Sequence, residues 1–331
     1  MSAPLSLTDA LDRLRDPGSW ETWSPFGSER ILVVDVASSA EDLAPAARLA
    51  ELPCPTVAWR AGEASPAGAR LLDAFDVHAD DEAQLGPVVD AAKRSPLAAS
   101  VLVQLLRHSE TLPLHDALLA ESWAYSTLQS GPEFATWLAA RTSGDPAPEH
   151  PEPAVLARRE GPFLHLTLNR PERHNAYSAE MRDALCELLD VADADPSIER
   201  IRLDGAGSSF SSGGELVEFG TLADPATAHA VRSVRNAGRL LARLAPRVEV
   251  HVHGACVGAG VELPAFAAKV CARADAWFML PELSMGLVPG AGGTASLPRR
   301  IGRRRTAWLA LSGERIDART ALEWGLVDEI R

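Results

Sequence analysis

Three short segments in the second half of the sequence combine glycine with other small residues, so they could expose backbone amides to a ligand. Small side chains at such turns let a reacting group approach the backbone, where two N–H groups can hold a negatively charged oxygen. An ordinary tight turn explains one such segment easily but explains two together less well. The segments are GAGSSFSSGGEL (205–216), GACVGAGVEL (254–263) and MLPELSMGLVPGAGGTASL (279–297).

Two carboxyl groups accompany these segments. Glu262 follows the glycines of the second segment, and Glu282 stands twenty positions further on, directly after Pro281. A carboxyl group that is partly desolvated beside a like charge has a raised pKa, as an acid working near neutral pH requires. Either residue could instead be an ordinary charge at a helix N-terminus or on the surface.

The order of these segments resembles the crotonase (enoyl-CoA hydratase/isomerase) family, whose pattern runs LNRPxxxNA, FxxGxD, GxxxGGGxEL and PExxxGxxPGxGG. LNRPERHNA at 168–176 supplies the first motif, so matching motifs cover 163–330. The resemblance implies a coenzyme A thioester as substrate and its enolate as the species to be stabilised. It implies the backbone amides of Ser212 and Ala259 as donors to the thioester oxygen, at positions where the family more often has Ala and Gly.

For the carboxyl groups, the resemblance implies that Glu262 activates water and that Glu282 protonates the α-carbon. The expected reaction is syn addition of water to a 2-enoyl-CoA, which gives a 3-hydroxyacyl-CoA. Double-bond isomerisation, thioester hydrolysis and C–C bond hydrolysis of the retro-Claisen kind remain open, because they reuse the same enolate cradle. A non-catalytic subunit that binds acyl-CoA is an alternative of a different class, and the presence of both glutamates counts against it.

Coenzyme A is expected as part of the substrate, with no separate cofactor. Arg173 could pair with one of its phosphates or be a solvated loop charge. Two supporting positions depart from the family pattern, since Glu215 and Ala268 stand where Asp is common. By resemblance, the positions that match the coenzyme A site are Arg173, His174, Ala176 and Gly213, with Arg141 near the phosphate contact.

Strand and helix patterns alternate on both sides of a stretch rich in Pro, Gly, Asp and Glu, which predicts an α/β protein. We expect residues 143–154 to be a linker and residues 155–331 to be the catalytic core, with the ββα spiral of the crotonase fold. Within that core, periodicity predicts strands at 163–169, 198–207 and 247–253, a helix at 178–195, and a helical continuation at 262–272.

Residues 84–141 have a helical pattern throughout. The family continues past its GLVDxV motif with helices that cover the active site, and a pattern similar to that tail stands here at 93–141, ahead of the core. We therefore expect a displaced helical arm. The shorter strands before the arm resemble a crotonase half without the two acids, so residues 1–142 are expected to be a degenerate partial crotonase-like unit that ends in the arm.

Composition excludes several other classes. A formal net charge of -13 argues against a nucleic-acid surface. Four dispersed cysteines suit a reducing compartment, and no long apolar stretch suggests a signal peptide or a membrane span, so a cytoplasmic protein is expected. His251 and His253 are expected to pack or form hydrogen bonds rather than to bind a metal, because no suitably spaced Cys or carboxylate completes a ligand set. By resemblance, we expect a homo-oligomer, either a trimer or a hexamer.

Overall fold

A computed structural model describes residues 3–60, 62–141, 150–222 and 224–331. Most of the expected linker, from 143 to 149, lies outside the described residues, and so does Thr142 before it. The division of the chain at this point therefore stays a prediction.

The first part of the chain forms a parallel sheet whose four strands stand side by side in chain order. Short apolar, β-branched runs form its central strands, as the sequence predicts. A separate cluster of buried residues, including Leu11, Leu32 and Phe75, packs beneath it. The strands are β1 (Leu5–Ser6), β2 (Leu32–Asp35), β3 (Thr56–Trp59) and β4 (Val77–Ala79). The helices between them are α1 (Leu7–Leu14), α2 (Ser19–Thr22) and α3 (Pro66–Leu71), with 3₁₀ turns at Ala44–Glu51 and Leu72–Ala74.

The predicted helical arm follows this sheet. Its helices begin at favourable residues: the Asp81 side chain accepts the Gln84 N–H at the first, and Pro96 and Pro132 stand at the first positions of the second and fourth. Four helices follow the sheet, α4 (Glu82–Arg94), α5 (Pro96–Ser109), α6 (Leu114–Gln129) and α7 (Pro132–Ala140), and the predicted arm at 93–141 corresponds to the last three with the end of α4.

The C-terminal part contains a six-stranded sheet and a three-stranded sheet among its described residues. The larger sheet has the strand order β13-β10-β8-β7-β6-β5, parallel except for the β5–β6 pair. The smaller has the order β12-β11-β9. The strands are β5 (Val155–Glu160), β6 (Phe163–Leu168), β7 (Arg200–Gly205), β8 (Val248–Val252), β9 (Ala255–Val257), β10 (Lys269–Ala272), β11 (Trp277–Met279), β12 (Ile316–Asp317) and β13 (Glu329–Ile330).

Helices cover these sheets and connect their strands. They are α8 (Ala179–Ala194), α9 (Pro225–Val234), α10 (Ala237–Leu244), α11 (Ala259–Glu262), α12 (Gly293–Ile301), α13 (Arg303–Ser312) and α14 (Ala318–Trp324). Turns of 3₁₀ helix stand at Pro171–Arg173, Leu216–Glu218, Ala245–Arg247, Pro264–Phe266 and Glu282–Met285.

The predicted strands at 163–169, 198–207 and 247–253 are confirmed as β6, β7 and β8. The predicted helix at 178–195 is confirmed as α8, and the Ser178 side chain accepts the Met181 N–H at its start.

The helical continuation predicted at 262–272 is wrong. Helix α11 ends at Glu262, Pro264 begins a 3₁₀ turn, and Lys269–Ala272 is a strand. Proline has no N–H to continue the helix, and Val270 and Cys271 are buried in a strand between β8 and β13.

The arm shares one hydrophobic core with the C-terminal part. Leu102, Leu106 and Leu118 belong to the same buried cluster as Leu297 of α12. Helices α5 and α6 pack against α12, α6 also packs against α9, and α7 packs against the 3₁₀ turn at Glu282–Met285. The arm can therefore form one wall of a cavity that lies between it and α9, α12 and this 3₁₀ turn.

Buried ion pairs also connect the first sheet to the C-terminal part. The Asp76 carboxylate, which is only 1% exposed, is paired with Arg107 of α5 at 2.5 Å and with Arg303 of α13 at 3.0 Å. Thr56 donates its N–H and hydroxyl to the same carboxylate. Because both arginines converge on one buried acid, the two parts are held by satisfied charges as well as by apolar contact.

Candidate active site

A cavity of about 460 Å³ lies between the arm and the C-terminal part. Three of the four sequence-predicted catalytic residues line it, namely Ala259, Glu262 and Glu282, whereas Ser212 does not. The arm supplies Tyr125, Gln129, Ser130, Phe134, Ala135 and Leu138. The segment at 216–238 supplies Glu218, Phe219, Gly220, Leu222, Asp224, Pro225, Ala228 and Arg232.

Glu262 ends helix α11 and points at the start of helix α12. Its Oε2 atom accepts the N–H groups of Ala291 at 2.7 Å and Gly293 at 2.8 Å, and its side chain is almost fully buried. Burial raises the pKa of Glu262 to about 7, although these two hydrogen bonds oppose the rise. Near neutral pH, Glu262 can therefore take up or release a proton.

Glu282 begins the 3₁₀ turn that follows β11. Its Oε2 atom is buried and has no hydrogen-bond partner within the described parts of the chain. Burial, followed by the charge of Glu262, raises the pKa of Glu282 well above its usual value. A buried carboxyl oxygen without a partner is costly, and in a cavity it is available to a ligand or to water.

The glycine at 258 leaves room for the carboxyl group of Glu282. Gly258 turns the chain from β9 into α11 with a φ of 50°, in the left-handed region that disfavours a side chain. A Cβ atom at this position would lie 2.6 Å from Oε1 of Glu282. Any larger residue would therefore displace the acid.

Glu121 on helix α6 is a further buried carboxyl group, which the sequence patterns did not predict. Its Oε1 atom accepts the Gly292 N–H at 2.6 Å, and its Oε2 atom accepts the Thr294 N–H and hydroxyl, both at 2.7 Å. Burial, followed by the charge of Glu262, raises the pKa of Glu121 to about 8. Helical spacing places Glu121 beside Leu118 and Tyr125 on one face of α6, but that spacing alone does not show that a glutamate is buried there.

The two predicted amide donors differ in their availability. Ala259 is the first residue of α11, and its N–H donates to no acceptor among the residues that the structure describes. The Ser212 N–H, by contrast, donates to the carbonyl of His174 at 2.9 Å. Ala259 is thus ready to donate to a ligand, whereas the role predicted for Ser212 requires its existing bond to be released or shared.

The five positions predicted for coenzyme A surround the turn at 211–214 but do not line the cavity. Arg173 makes a two-pronged ion pair with the buried carboxylate of Glu215, at 2.6 and 2.7 Å, and this raises the pKa of Arg173. Its charge is therefore already neutralised, which weakens the predicted phosphate contact. Of the other four positions, two form hydrogen bonds: His174 Nδ1 lies 3.1 Å from the Ser209 hydroxyl, and Arg141 donates to the Leu216 carbonyl. Ala176 is buried, and Gly213 has a φ of 88°.

The predicted hydrogen-bonding roles of the two strand histidines are confirmed. His251 contacts the Glu249 carboxylate at 2.5 Å, and His253 contacts the Gly207 carbonyl at 3.0 Å. The expectation that neither a carboxylate nor a cysteine accompanies His251 is wrong, because β10 brings Cys271 beside it and Glu249 lies on the same strand face. Ligand atoms of these three residues lie within 4.8 Å of one another, outside the residues that line the cavity. The absence of a metal role stays a prediction.

Comparison with known proteins identifies the family. Residues 158–331 match the family model described as enoyl-CoA hydratase/isomerase. The chain is 36% identical over 180 residues to 1,2-epoxyphenylacetyl-CoA isomerase of Escherichia coli, an alignment that spans 53% of this chain and 69% of that protein. It is also 36% identical over 176 residues to 2,3-dehydroadipyl-CoA hydratase of the same organism, with 53% and 68% covered.

Solved structures agree with this match. An enoyl-CoA hydratase/isomerase from Mycobacterium paratuberculosis superposes with a TM-score of 0.51 at 30% identity, over 54% of this chain and 73% of that one. The chain belongs to the enoyl-CoA hydratase/isomerase family, within the crotonase superfamily, and this confirms the predicted family and fold class. Within the described residues, no helix is both long enough and apolar enough to cross a bilayer.

Proposed function

We propose that the protein adds water to a 2-enoyl-CoA to give a 3-hydroxyacyl-CoA. The observation that carries this proposal is that Glu262, which is buried, and Glu282, which is half-buried with a buried Oε2 atom, share one cavity and both have raised pKa values. Hydration across a double bond needs one group to take a proton from water and another to give a proton to carbon. A pair of acids near neutrality can do both.

In the proposed reaction, the ionised carboxylate of Glu262 takes a proton from water as the water oxygen bonds to C3. Electrons of the double bond move onto the thioester oxygen, and protonated Glu282 then donates its proton to C2. The product carries the elements of one water molecule, and the two acids have exchanged protonation states. Proton exchange with solvent restores them before the next turnover.

Backbone amides stabilise the thioester oxygen while it carries charge. The Ala259 N–H is the first donor, because Ala259 lines the cavity and its N–H meets no acceptor within the described residues. The second comes from the turn at 211–214, either from Ser212 once His174 releases it or from Gly214. Gly214 lines the cavity, and its N–H meets no acceptor within the described residues. Preorganised donors of this kind are each worth roughly 10²–10³ in rate.

The acyl group lies against the apolar wall that the arm and the 216–238 segment form together. Phe134 and Leu138 of α7 line this cavity together with Phe219 and Leu222. The coenzyme A moiety runs past the 211–214 turn, near His174. The family resemblance also supports a trimer or a hexamer, which light scattering of the purified protein would measure.

The test follows loss of the conjugated enoyl-thioester absorbance with short, medium and ring-bearing 2-enoyl-CoAs. Glu262→Gln and Glu282→Gln each lower kcat by about 10²–10⁴, the usual contribution of a general acid or base. Glu314→Gln removes an exposed carboxylate and leaves kcat unchanged. Absence of hydration by the wild-type protein, despite measurable binding of coenzyme A, would refute the proposal.

A second candidate is double-bond isomerisation, which the name of trans-2-decenoyl-[acyl-carrier-protein] isomerase of Streptococcus mutans, 33% identical to this chain over 184 residues, brings into consideration. An isomerase moves a proton between two carbons and adds no oxygen. Reaction in ¹⁸O-labelled water separates the two, because hydration places one labelled oxygen in the product and isomerisation places none. A second assay starts from a 3-enoyl-CoA. Isomerisation converts this substrate to the conjugated 2-enoyl-CoA, so the conjugated enoyl-thioester absorbance increases.

A further inference from the structure

Two buried carboxyl groups hold residues 291–294, which comprise the turn into helix α12 and its first two residues and are called the loop below, by alternate amides. Glu262 accepts the N–H groups of the first and third residues at 2.7 and 2.8 Å. Glu121 accepts those of the second and fourth, Gly292 and Thr294, at 2.6 and 2.7 Å. Because neighbouring amides are bound by different carboxylates, the loop cannot move without loosening both.

Helix α6 packs closely on this loop on either side of Glu121. A Cβ atom at Gly290 would lie 2.5 Å from the Tyr125 ring. A Cβ atom at Gly292 would lie 3.2 Å from the Leu118 side chain. The Phe266 ring lies closer still to residue 292, at 2.6 Å from the same Cβ position. The loop therefore has little space in which to take up another position, and helix α6, which carries Glu121, limits it together with Phe266.

From this geometry we infer that Glu121 is a positioning residue, which fixes the 291–294 loop and through it orients the carboxylate of Glu262. Glu121 belongs to the arm, ahead of residues 158–331 that match the family. The part of the chain outside the match thus contributes to the alignment of the proposed base. The kinetic consequences rest on the proposed hydration, whereas the effect on the loop does not.

The polar contacts explain why a carboxyl group is tolerated at this buried position. Burying an acid is costly unless several donors satisfy it. Glu121 receives two amides and the Thr294 hydroxyl. A hydroxyl can also accept a hydrogen bond, so Glu121 keeps its partners whether or not it carries a proton. An apolar side chain would fill the same space without holding the amides of the loop.

Glu121 interacts electrostatically with charged and titratable groups from several elements. These groups are Glu262 of α11, Glu282 of its 3₁₀ turn, Arg232 of α9 and Tyr125 of α6 itself. Ionised Glu121 contributes to the raised pKa of Glu282. Replacing Glu121 with Gln removes that charge, so Glu282 loses its proton at a lower pH. The alkaline side of the pH–rate profile therefore moves to lower pH, which loss of packing alone would not cause.

Hydrogen exchange tests the inference without relying on any reaction. In Glu121→Gln, an amide nitrogen replaces one of the two acceptor oxygens, and we expect at least tenfold faster exchange in a peptide that covers 290–297. Glu133→Gln is the matched control, because Glu133 of α7 also holds two backbone amides, of Leu97 and Ala98, at a helix start outside the cavity. Exchange of 290–297 that is unchanged in Glu121→Gln would overturn the inference.

Kinetics provide the second readout. Misplacing a reacting group by about 1 Å can cost roughly 10²-fold in rate, so we expect Glu121→Gln to lower kcat by at least about tenfold, with KM within about twofold. Unchanged kcat together with an unmoved alkaline limb would overturn a positioning role. If Glu121→Gln does not fold, Thr294→Val removes only the hydroxyl donor and should cause smaller changes in the same direction. If the wild-type protein hydrates no thioester, the proposed function fails, and hydrogen exchange still decides the inference.

Discussion

Substitution of Gly293 by Ala tests whether the position of Glu262 controls the reaction. A Cβ atom at residue 293 would lie 2.7 Å from Cγ and 2.8 Å from Oε2 of Glu262. The first distance is about 0.7 Å less than the 3.4 Å at which ordinary contact begins. Since the backbone at 293 has no positive φ, the main effect is displacement of the carboxylate rather than backbone strain.

A displacement of this size should lower kcat by about 10- to 10²-fold. Overpacking should also cost about 1–3 kcal/mol of stability. Steady-state hydration of a 2-enoyl-CoA measures the first effect, and urea unfolding measures the second. The control is Gly86→Ala in α4, where a Cβ meets no atom within 4 Å and Ala should stabilise the helix by up to about 1 kcal/mol. A Gly293→Ala protein with wild-type kcat would refute the idea that this contact sets the geometry of Glu262.

Three further predictions concern charge. The acidic limb of kcat/KM should lie near pH 7, because Glu262 must be ionised and its pKa is about 7; a limb near pH 4.5 would contradict this. Because burial raises the pKa of Glu262 in the folded state, the folded protein binds more protons than the unfolded chain between about pH 4.5 and 7. The contribution of Glu262 to the free energy of unfolding should therefore fall as pH rises through that window. In urea unfolding measured at several pH values, Glu262→Gln should make the free energy of unfolding depend less steeply on pH. Asp76→Asn leaves Arg107 and Arg303 without their buried partner, so it should cost about 3–5 kcal/mol with kcat per folded molecule unchanged; a loss below 1 kcal/mol would show that water compensates these charges.

Local patterns in the sequence predicted most of the core. Alternation identified β6, β7 and β8, and the Ser178 cap with helical spacing identified α8. Ordered motifs brought Glu262, Glu282 and Ala259 to one cavity. The error at 262–272 arose because a short apolar run fits either a helix or a strand. Pairing with the neighbouring strands decides that Lys269–Ala272 is a strand.

Two features of the site depend on contacts between distant segments, so no local pattern contains them. The Ser212 amide is engaged because His174, almost forty residues earlier, adopts a left-handed φ of 51° that places its carbonyl there. Glu121 reaches a loop that is more than 170 residues away in the sequence. A glutamate within an amphipathic helix is usually exposed, so its burial follows only from knowing that α6 packs on α12.

The position of the arm illustrates why packing need not follow chain order. Apolar contact is non-directional and depends on the surfaces that meet, so α6 can pack on α9 and α12 from a place ahead of them in the chain. Hydrogen bonds from Gly292 and Thr294 to Glu121 then add the direction that apolar contact lacks. Apolar contact and directed hydrogen bonds together can therefore place the arm against the cavity although it stands ahead of the core in the chain.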